Sequence, residues 1–177
     1  MTQSCKDRIF LVGPMGAGKS SIGKALALVT ESTFYDIDEE IVKYAKRSIP
    51  RIFEDDGEEG FRQIETEVLQ KCVNYNAVIA TGGGIIGREC NRKILKENGL
   101  IIYLYADVET QYLRTMHDNN RPMIHVDDRR AKLEQIFKLR NPLYNEVQDL
   151  IIDSGKNNIH ECVEQIKARL KELSWKI

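Results

Sequence analysis

The sequence predicts an α/β fold in which helices cover both faces of a parallel sheet. Short apolar runs rich in β-branched residues recur along the chain, and longer segments with the period of amphipathic helices separate them. No repeat or low-complexity linker interrupts this alternation. A chain of 177 residues is long enough to bury one core without disulfide or metal support. We therefore expect a single domain spanning residues 1–177.

The charge composition narrows the class of protein. The chain carries 26 basic and 27 acidic side chains, a formal net charge of -1. This balance argues against binding nucleic acid or a membrane by bulk charge, although a local patch can still bind an anion. The first apolar run is too short for a secretion signal or a membrane span, so we expect a cytoplasmic protein. The cysteines show no metal-binding or redox spacing; they are Cys5, Cys72, Cys90 and Cys162.

Five runs are strand candidates, and apolar spacing indicates helices between them. The four clear strand runs are residues 8–12, 77–80, 100–105 and 149–152, and a weaker one is residues 33–36. Helices are expected after Asp55, over about 129–144, and at the C-terminus. Their apolar stripes are Phe61, Ile64, Val68 and Cys72; Leu133, Ile136 and Phe137; and Ile159, Cys162, Val163, Ile166, Leu170 and Leu173.

Residues 13–20, GPMGAGKS, form a phosphate-binding loop between the first strand and a helix. Its glycines let successive N–H groups point inward, and the helix N-terminus adds about half a positive charge toward a phosphate. Lys19 would bridge the β- and γ-phosphates of ATP, and the Ser20 hydroxyl would complete the shell of a Mg²⁺ ion. The residues expected to contact the nucleotide phosphates are Gly16, Ala17, Gly18, Lys19, Ser20 and Ser21. The guanine-binding motif of a GTPase is not recognisable.

Asp36 and Asp38 lie two apart at the end of the weaker strand, where a period of two sends both carboxylates to the same side. Beside Mg·ATP, one carboxylate can hold the ion and the other can accept the proton of an attacking hydroxyl. Alternatively, Asp38 is the N-cap of a helix over about 39–46. Three successive glycines, residues 82–84, follow the next strand and indicate close approach of the backbone to a ligand, with a plain turn as the alternative.

Two arginines are candidate ligands for a small anion. Arg140 lies four residues after Ile136, so a helix places it on the apolar face, where its charge is costly unless an anion meets it. Arg62 lies in an acidic stretch and could instead pair with Glu58 or Glu65 on a helix surface. Together the two arginines could hold a carboxylate through bidentate hydrogen bonds.

The polar segment 114–128 is broken by Pro122 and is long enough for a mobile flap, with an ordinary solvated loop as the alternative. A flap that closes with an arginine excludes water and neutralises charge during phosphoryl transfer. Arg121 is the candidate for that contact, and Arg114 lies nearer the nucleotide base. No role is assigned to His117, His125 and His160.

Six motifs occur in order between residues 8 and 152, and in combination they resemble the shikimate kinase family. They are GPMGAGKS at 13–20, DID at 36–38, IFEDDGEEGFRQIE at 52–65, TGGG at 81–84, RPMI at 121–124 and RNPLY at 140–144. The resemblance implies the nucleoside-monophosphate-kinase-like fold with a P-loop, a three-layer sandwich whose parallel sheet has the order 2-3-1-4-5. It also implies transfer of the γ-phosphoryl group of ATP, with Mg²⁺, to the 3-hydroxyl of shikimate.

The resemblance further implies a role for each motif. Substrate would bind in an insertion over about 38–65, beneath a lid over about 114–128. Glu65 would orient Arg62, Asp36 would help Ser20 hold Mg²⁺, Arg121 would contact ATP, and Arg114 would lie against the adenine. The acceptor would be bound by Asp38, Arg62, Gly82, Gly83, Gly84 and Arg140, and Asp38, Lys19 and Arg121 would act in catalysis. We expect a monomer.

Two departures from the family pattern leave this chemistry unchanged: Ser21 replaces the commoner Thr, and Met123-Ile124 replace Leu-Leu. The runner-up function is a kinase of the same fold that acts on another small hydroxylated carboxylic acid, such as gluconate. A different class, a nucleotide-binding regulatory module without catalysis, is disfavoured by the presence of Lys19, Ser20, Asp36 and Asp38.

Overall fold

Five parallel strands form one sheet in the order β2-β3-β1-β4-β5, as a computed structural model of residues 8–116 and 128–175 shows. This confirms the predicted order. The weaker strand candidate, residues 33–36, is also a strand of this sheet. The strands are β1 (Ile9–Val12), β2 (Thr33–Asp36), β3 (Ala77–Ala80), β4 (Leu100–Tyr105) and β5 (Leu150–Asp153). Every pairing is parallel, so all five carboxyl ends meet at one edge.

Helices cover both faces of the sheet. In the described residues they are α1 (Lys19–Val29), α2 (Ile37–Ala45), α3 (Ile49–Cys72), α4 (Glu89–Asn98), α5 (Val108–Thr115), α6 (Arg129–Val147) and α7 (Ile159–Glu172). The period of two in β1 sends Ile9 and Leu11 to the face covered by α1 and α7, and Phe10 and Val12 to the face covered by α3 and α6. None of these helices combines the length and the apolar character needed to cross a lipid bilayer.

Several helix boundaries differ from the sequence predictions. Helix α2 begins at Ile37 with Asp36 as its N-cap, so the alternative in which Asp38 caps this helix is wrong. Helix α3 begins at Ile49, capped by Ser48, and a non-helical backbone at Gly57 divides it in two; the helix predicted after Asp55 is the second part, and the first part was not predicted. The helix predicted to end near residue 144 continues to Val147, although it contains Pro142.

The junction between α4 and β4 is closed by Gly99, a buried residue in extended backbone. A Cβ atom at this position would lie 2.7 Å from Cε2 of Phe10 and 2.9 Å from Cγ of Arg8. Phe10 is fully buried in the core. Gly99 therefore allows α4 to end directly against β1.

We expect Gly99→Ala to lower the free energy of unfolding by about 1–3 kcal/mol, the usual cost of overpacking a core. Urea unfolding measures this change. Gly87→Ala is the matched control, because no described atom lies within 4 Å of a Cβ there. Equal stability of Gly99→Ala and wild type would show that the packing around Phe10 is looser than described.

Candidate active site

The loops that follow β1, β2 and β3 meet at the carboxyl edge of the sheet and enclose a cleft of about 290 Å³, here called the phosphate cleft. Ligands of open parallel sheets bind at this edge. The cleft brings together residues from three sequence motifs and from α5. Its lining is Gly16, Gly18, Lys19, Ser20, Ser21, Asp36, Asp38, Thr81, Gly82, Gly83 and Arg114.

The phosphate loop has the backbone conformation that its glycines predict. Gly16 and Gly18 have φ angles of 77° and 81°, which residues with side chains rarely adopt, and Gly18 is the N-cap of α1. Lys19 Nζ donates hydrogen bonds to the carbonyl oxygens of Gly13 at 2.8 Å and Pro14 at 2.7 Å. The N–H groups at the start of α1 and the Lys19 ammonium therefore present positive charge at the cleft.

Asp36 connects the phosphate loop to the start of α2. Ser20 Oγ donates to Asp36 Oδ2 at 2.5 Å, and the backbone N–H of Asp38 donates to Asp36 Oδ1 at 3.0 Å. Asp38 belongs to the first turn of α2 rather than to the strand, so the period-two argument for its direction is wrong. Both carboxylates nevertheless line the phosphate cleft, because the chain turns into the helix immediately after Asp36.

Arg62 and Glu65 form an ion pair that is shielded from solvent. Arg62 Nη1 lies 2.8 Å from Glu65 Oε2, and Arg62 Nη2 lies 3.5 Å from Glu58 Oε1. The structure thus contains both pairings that the sequence suggested for Arg62. The Glu65 pairing is not a surface one, however, since the side chain of Glu65 is 0% exposed and that of Arg62 is 12% exposed.

Glu65 carries an unsatisfied oxygen. Its Oε1 is buried and has no hydrogen-bond partner in the described part of the chain. Burial raises the pKa of Glu65, and the Arg62 guanidinium opposes this shift; Asp38 raises the pKa further and Arg140 lowers it. Asp38 and Arg140 are therefore close enough to Glu65 to interact with it electrostatically. A buried polar atom without a partner is the usual sign of a site that a ligand or water completes.

The glycine run, residues 82–84, lies next to both the phosphate cleft and these charged side chains. A Cβ at Gly82 would lie 2.8 Å from Glu65 Oε1 and 3.2 Å from Asp38 Oδ1, and one at Gly84 would collide with the guanidinium of Arg62. Side chains at these positions would therefore displace the charged groups. We call the space bounded by Asp38, Arg62, Glu65, residues 82–84 and Arg140 the acceptor pocket.

Arg114 separates the phosphate cleft from a second cleft. Its Nη1 donates to the Gly16 carbonyl at 2.9 Å and its Nη2 to the Ser154 carbonyl at 2.8 Å. The second cleft encloses about 560 Å³ and is lined by Ala17, Gly18, Ser21, Ile22, Arg114, Ser154, Asn157, Asn158, Ile159 and His160. No motif pointed to residues 154–160, and only their position after β5 could have indicated them.

The predicted lid falls largely outside the described residues. Arg121, the candidate lid arginine, lies outside the described residues, as do His117 and His125. Every other predicted site residue is described. Arg140 is half-buried on α6, and among the described residues no carboxylate lies within 4.0 Å of it to form an ion pair.

A parallel sheet of this order, with a phosphate loop after its first strand and a charged pocket beside that loop, defines a P-loop kinase of the nucleoside-monophosphate-kinase-like fold. The family model described as shikimate kinase matches residues 15–171. A shikimate kinase of Nitrosospira multiformis is 45% identical over 92% of this chain and 84% of its own length. The chain belongs to the shikimate kinase family and is an ATP-dependent kinase.

Solved structures agree with this assignment. The structure of shikimate kinase from Acinetobacter baumannii in complex with shikimate has a TM-score of 0.92 and 40% identity, covering 96% of this chain and 95% of its own. A gluconokinase from Sinorhizobium meliloti has a TM-score of 0.59 and 18% identity over 94% of this chain and 92% of its own, which shows a shared fold alone. The runner-up substrate, gluconate, therefore gains no support beyond the fold.

The buried Glu65 predicts a pH dependence of stability. Because its pKa is raised in the folded protein above the ordinary value of 4.5, its contribution to stability is complete below 4.5 and is lost as the pH rises through the folded pKa. The glutamine of Glu65→Gln does not titrate, so this variant does not lose stability in this way as the pH rises. We expect the free energy of unfolding of Glu65→Gln, minus that of wild type, to increase as the pH rises above 4.5 in urea-unfolding series.

Glu67→Gln is the control for this measurement, since hydrogen bonds from Gln63 and Tyr44 lower the pKa of Glu67. Its difference from wild type should decrease as the pH rises toward 4.5 and stay level above it, because a lowered folded pKa confines the change to pH values below the ordinary one. Loss of the Arg62 ion pair changes the free energy of unfolding of Glu65→Gln by a constant amount, so it does not affect how the difference from wild type changes with pH. A difference between Glu65→Gln and wild type that is flat with pH would mean that Glu65 titrates like an exposed carboxyl.

Proposed function

We propose that this kinase transfers the γ-phosphoryl group of ATP to the 3-hydroxyl of shikimate, giving shikimate 3-phosphate and ADP. One observation carries the proposal: the acceptor pocket and the phosphate cleft share Asp38, Gly82 and Gly83 as a common wall. A phosphate and an acceptor would both lie against this backbone on the same side, so that the acceptor hydroxyl meets the γ-phosphorus directly. The shikimate complex of the Acinetobacter baumannii relative supports the choice of acceptor.

The nucleotide would bind along the phosphate loop. Lys19 would exchange its bonds to the Gly13 and Pro14 carbonyls for the β- and γ-phosphate oxygens, and the N–H groups of residues 16–20 would bind the phosphates. Ser21 lines both clefts, and so would lie near the α-phosphate. The base would occupy the second cleft against Arg114. Arg121 stays the predicted lid contact.

The residues at the start of α1 and α2 fit a Mg²⁺ ion. Ser20 and Asp36 bring a hydroxyl and a carboxylate oxygen within 2.5 Å of each other, and both are hard oxygen donors. Mg²⁺ in kinases usually takes one or two protein oxygens together with phosphates and waters, so no larger carboxylate cluster is needed. When bound, the ion would neutralise charge on the phosphates. We propose that Ser20 and Asp36 hold it, directly or through water.

The acceptor would be oriented by its carboxylate. Arg62 and Arg140 supply two guanidinium groups, and Glu65 holds Arg62 in place through the 2.8 Å ion pair. The glycine run allows the sugar-like ring to approach the backbone closely. Asp38 would accept the proton of the attacking hydroxyl as the new O–P bond forms and the bond between the β,γ-bridging oxygen and the γ-phosphorus breaks. Positioning and charge neutralisation supply most of the rate.

The monomer and the cytoplasmic location stay predictions. The regulatory alternative, a module without catalysis, differs from the proposal in predicting no turnover.

The direct test is ADP release in a coupled assay with Mg·ATP and a panel of hydroxylated acids. We expect turnover with shikimate and at least tenfold lower kcat/KM with gluconate and quinate, because two fixed arginines select a carboxylate at one distance from the hydroxyl. Asp38→Asn should lower kcat by about 10²–10⁴, the usual effect of removing a general base. Wild-type protein that releases no ADP in response to shikimate would refute the proposal.

A further inference from the structure

We propose that the Tyr144 hydroxyl is a positioning group that ties α6, and with it Arg140, to the glycine run and so to the phosphate loop. The inference rests on the proposed function, in which donor and acceptor both bind against the glycine run. Tyr144 lines neither the phosphate cleft nor the second cleft, so its effect on the reaction would pass through the groups it bonds, the Gly83 carbonyl and Arg140.

The side chain of Tyr144 is held in one position. It is 1% exposed, and its ring stacks on that of Tyr103 with centroids 4.9 Å apart and planes inclined by 25°. Its hydroxyl donates a hydrogen bond to the Gly83 carbonyl oxygen at 2.5 Å. Burial raises the pKa of Tyr144 and outweighs the lowering by Arg140, so the hydroxyl keeps its proton and stays a donor. A buried, fully packed donor fixes the carbonyl that accepts from it.

Gly83 is also packed against the phosphate loop. A Cβ at Gly83 would lie 3.4 Å from the Gly13 carbonyl oxygen, 3.5 Å from the Met15 backbone nitrogen and 3.6 Å from the Tyr144 hydroxyl. The backbone of the run therefore packs close to both the phosphate loop and Tyr144. A shift of Gly83 would change the distance between the two substrates.

Tyr144 and Arg140 are one helical turn apart on α6; Arg140 lowers the pKa of Glu65, and Arg140, Glu65 and Arg62 all act on the pKa of Tyr144. The arginine would position the acceptor carboxylate, and the tyrosine would position the glycine run against which the acceptor lies. Both positions thus derive from one helix. Misplacing reacting groups by about 1 Å can cost up to about a hundredfold in rate, so this registration bears on kcat.

The test compares Tyr144→Phe with Tyr103→Phe. Each removes one hydroxyl from the same buried stack, and the Tyr103 hydroxyl donates to Asn141 Oδ1 at 2.8 Å, also on α6 but not to the glycine run. Both variants should lose similar thermal stability. At a temperature below both unfolding transitions, we expect kcat to fall about tenfold in Tyr144→Phe only, with the KM values for shikimate and ATP within about threefold of wild type.

Hydrogen–deuterium exchange supplies a readout that does not depend on turnover. Amides of residues 81–87 should exchange faster in Tyr144→Phe than in wild type or Tyr103→Phe. An unchanged kcat, an equal fall in both variants, or unchanged exchange at residues 81–87 would overturn the proposal. If wild type itself does not phosphorylate shikimate, the proposed function fails, whereas the exchange comparison still tests the link between Tyr144 and Gly83.

Discussion

The site depends on the absence of side chains at residues 82–84. This backbone lies in contact with the phosphate loop at Gly83, with Glu65 and Asp38 at Gly82, and with the Arg62 guanidinium at Gly84. A Cβ at Gly82 or Gly84 would displace these charged groups. Three glycines cost backbone entropy, and here that cost permits the charged groups to approach the backbone closely.

The buried charges are the second requirement of this arrangement. A carboxylate with no exposure and one unsatisfied oxygen is costly in a protein that has no ligand for it. Arg62 offsets part of the cost, and Arg140 contributes at longer range. Such a cluster is understandable as a preorganised site, in which the ordering of the arginines is completed during folding rather than on binding. The stability lost in this cluster is offset by the continuous core on both faces of the sheet.

The parts of the structure that were predictable from sequence are those set by local chemistry. The phosphate loop, the buried strands and the inward position of Arg140 follow from glycine spacing, apolar runs and helical period. The alternative in which Asp38 caps α2 is wrong, because Asp36 and Asp38 are both good caps and only the path of the chain after β2 decides between them. The second cleft, with Asn157 and His160, was missed because it depends on which strands are neighbours. The Tyr144 hydrogen bond joins residues 61 positions apart, a separation that local patterns do not encode.

We propose that Arg62 and Arg140 together hold the acceptor by its carboxylate beside the phosphate loop. Calorimetric binding of shikimate and of its neutral carboxamide, to wild type and to Arg140→Ala, measures this directly. We expect the carboxamide to bind wild type at least about a hundredfold more weakly than shikimate. In Arg140→Ala this difference in affinity should be at least about tenfold smaller, a coupling of about 1.4 kcal/mol. Lys138→Ala, at an exposed position of the same helix, should keep the full difference in affinity. An equal difference in affinity in Arg140→Ala and wild type would show that Arg140 does not bind the carboxylate.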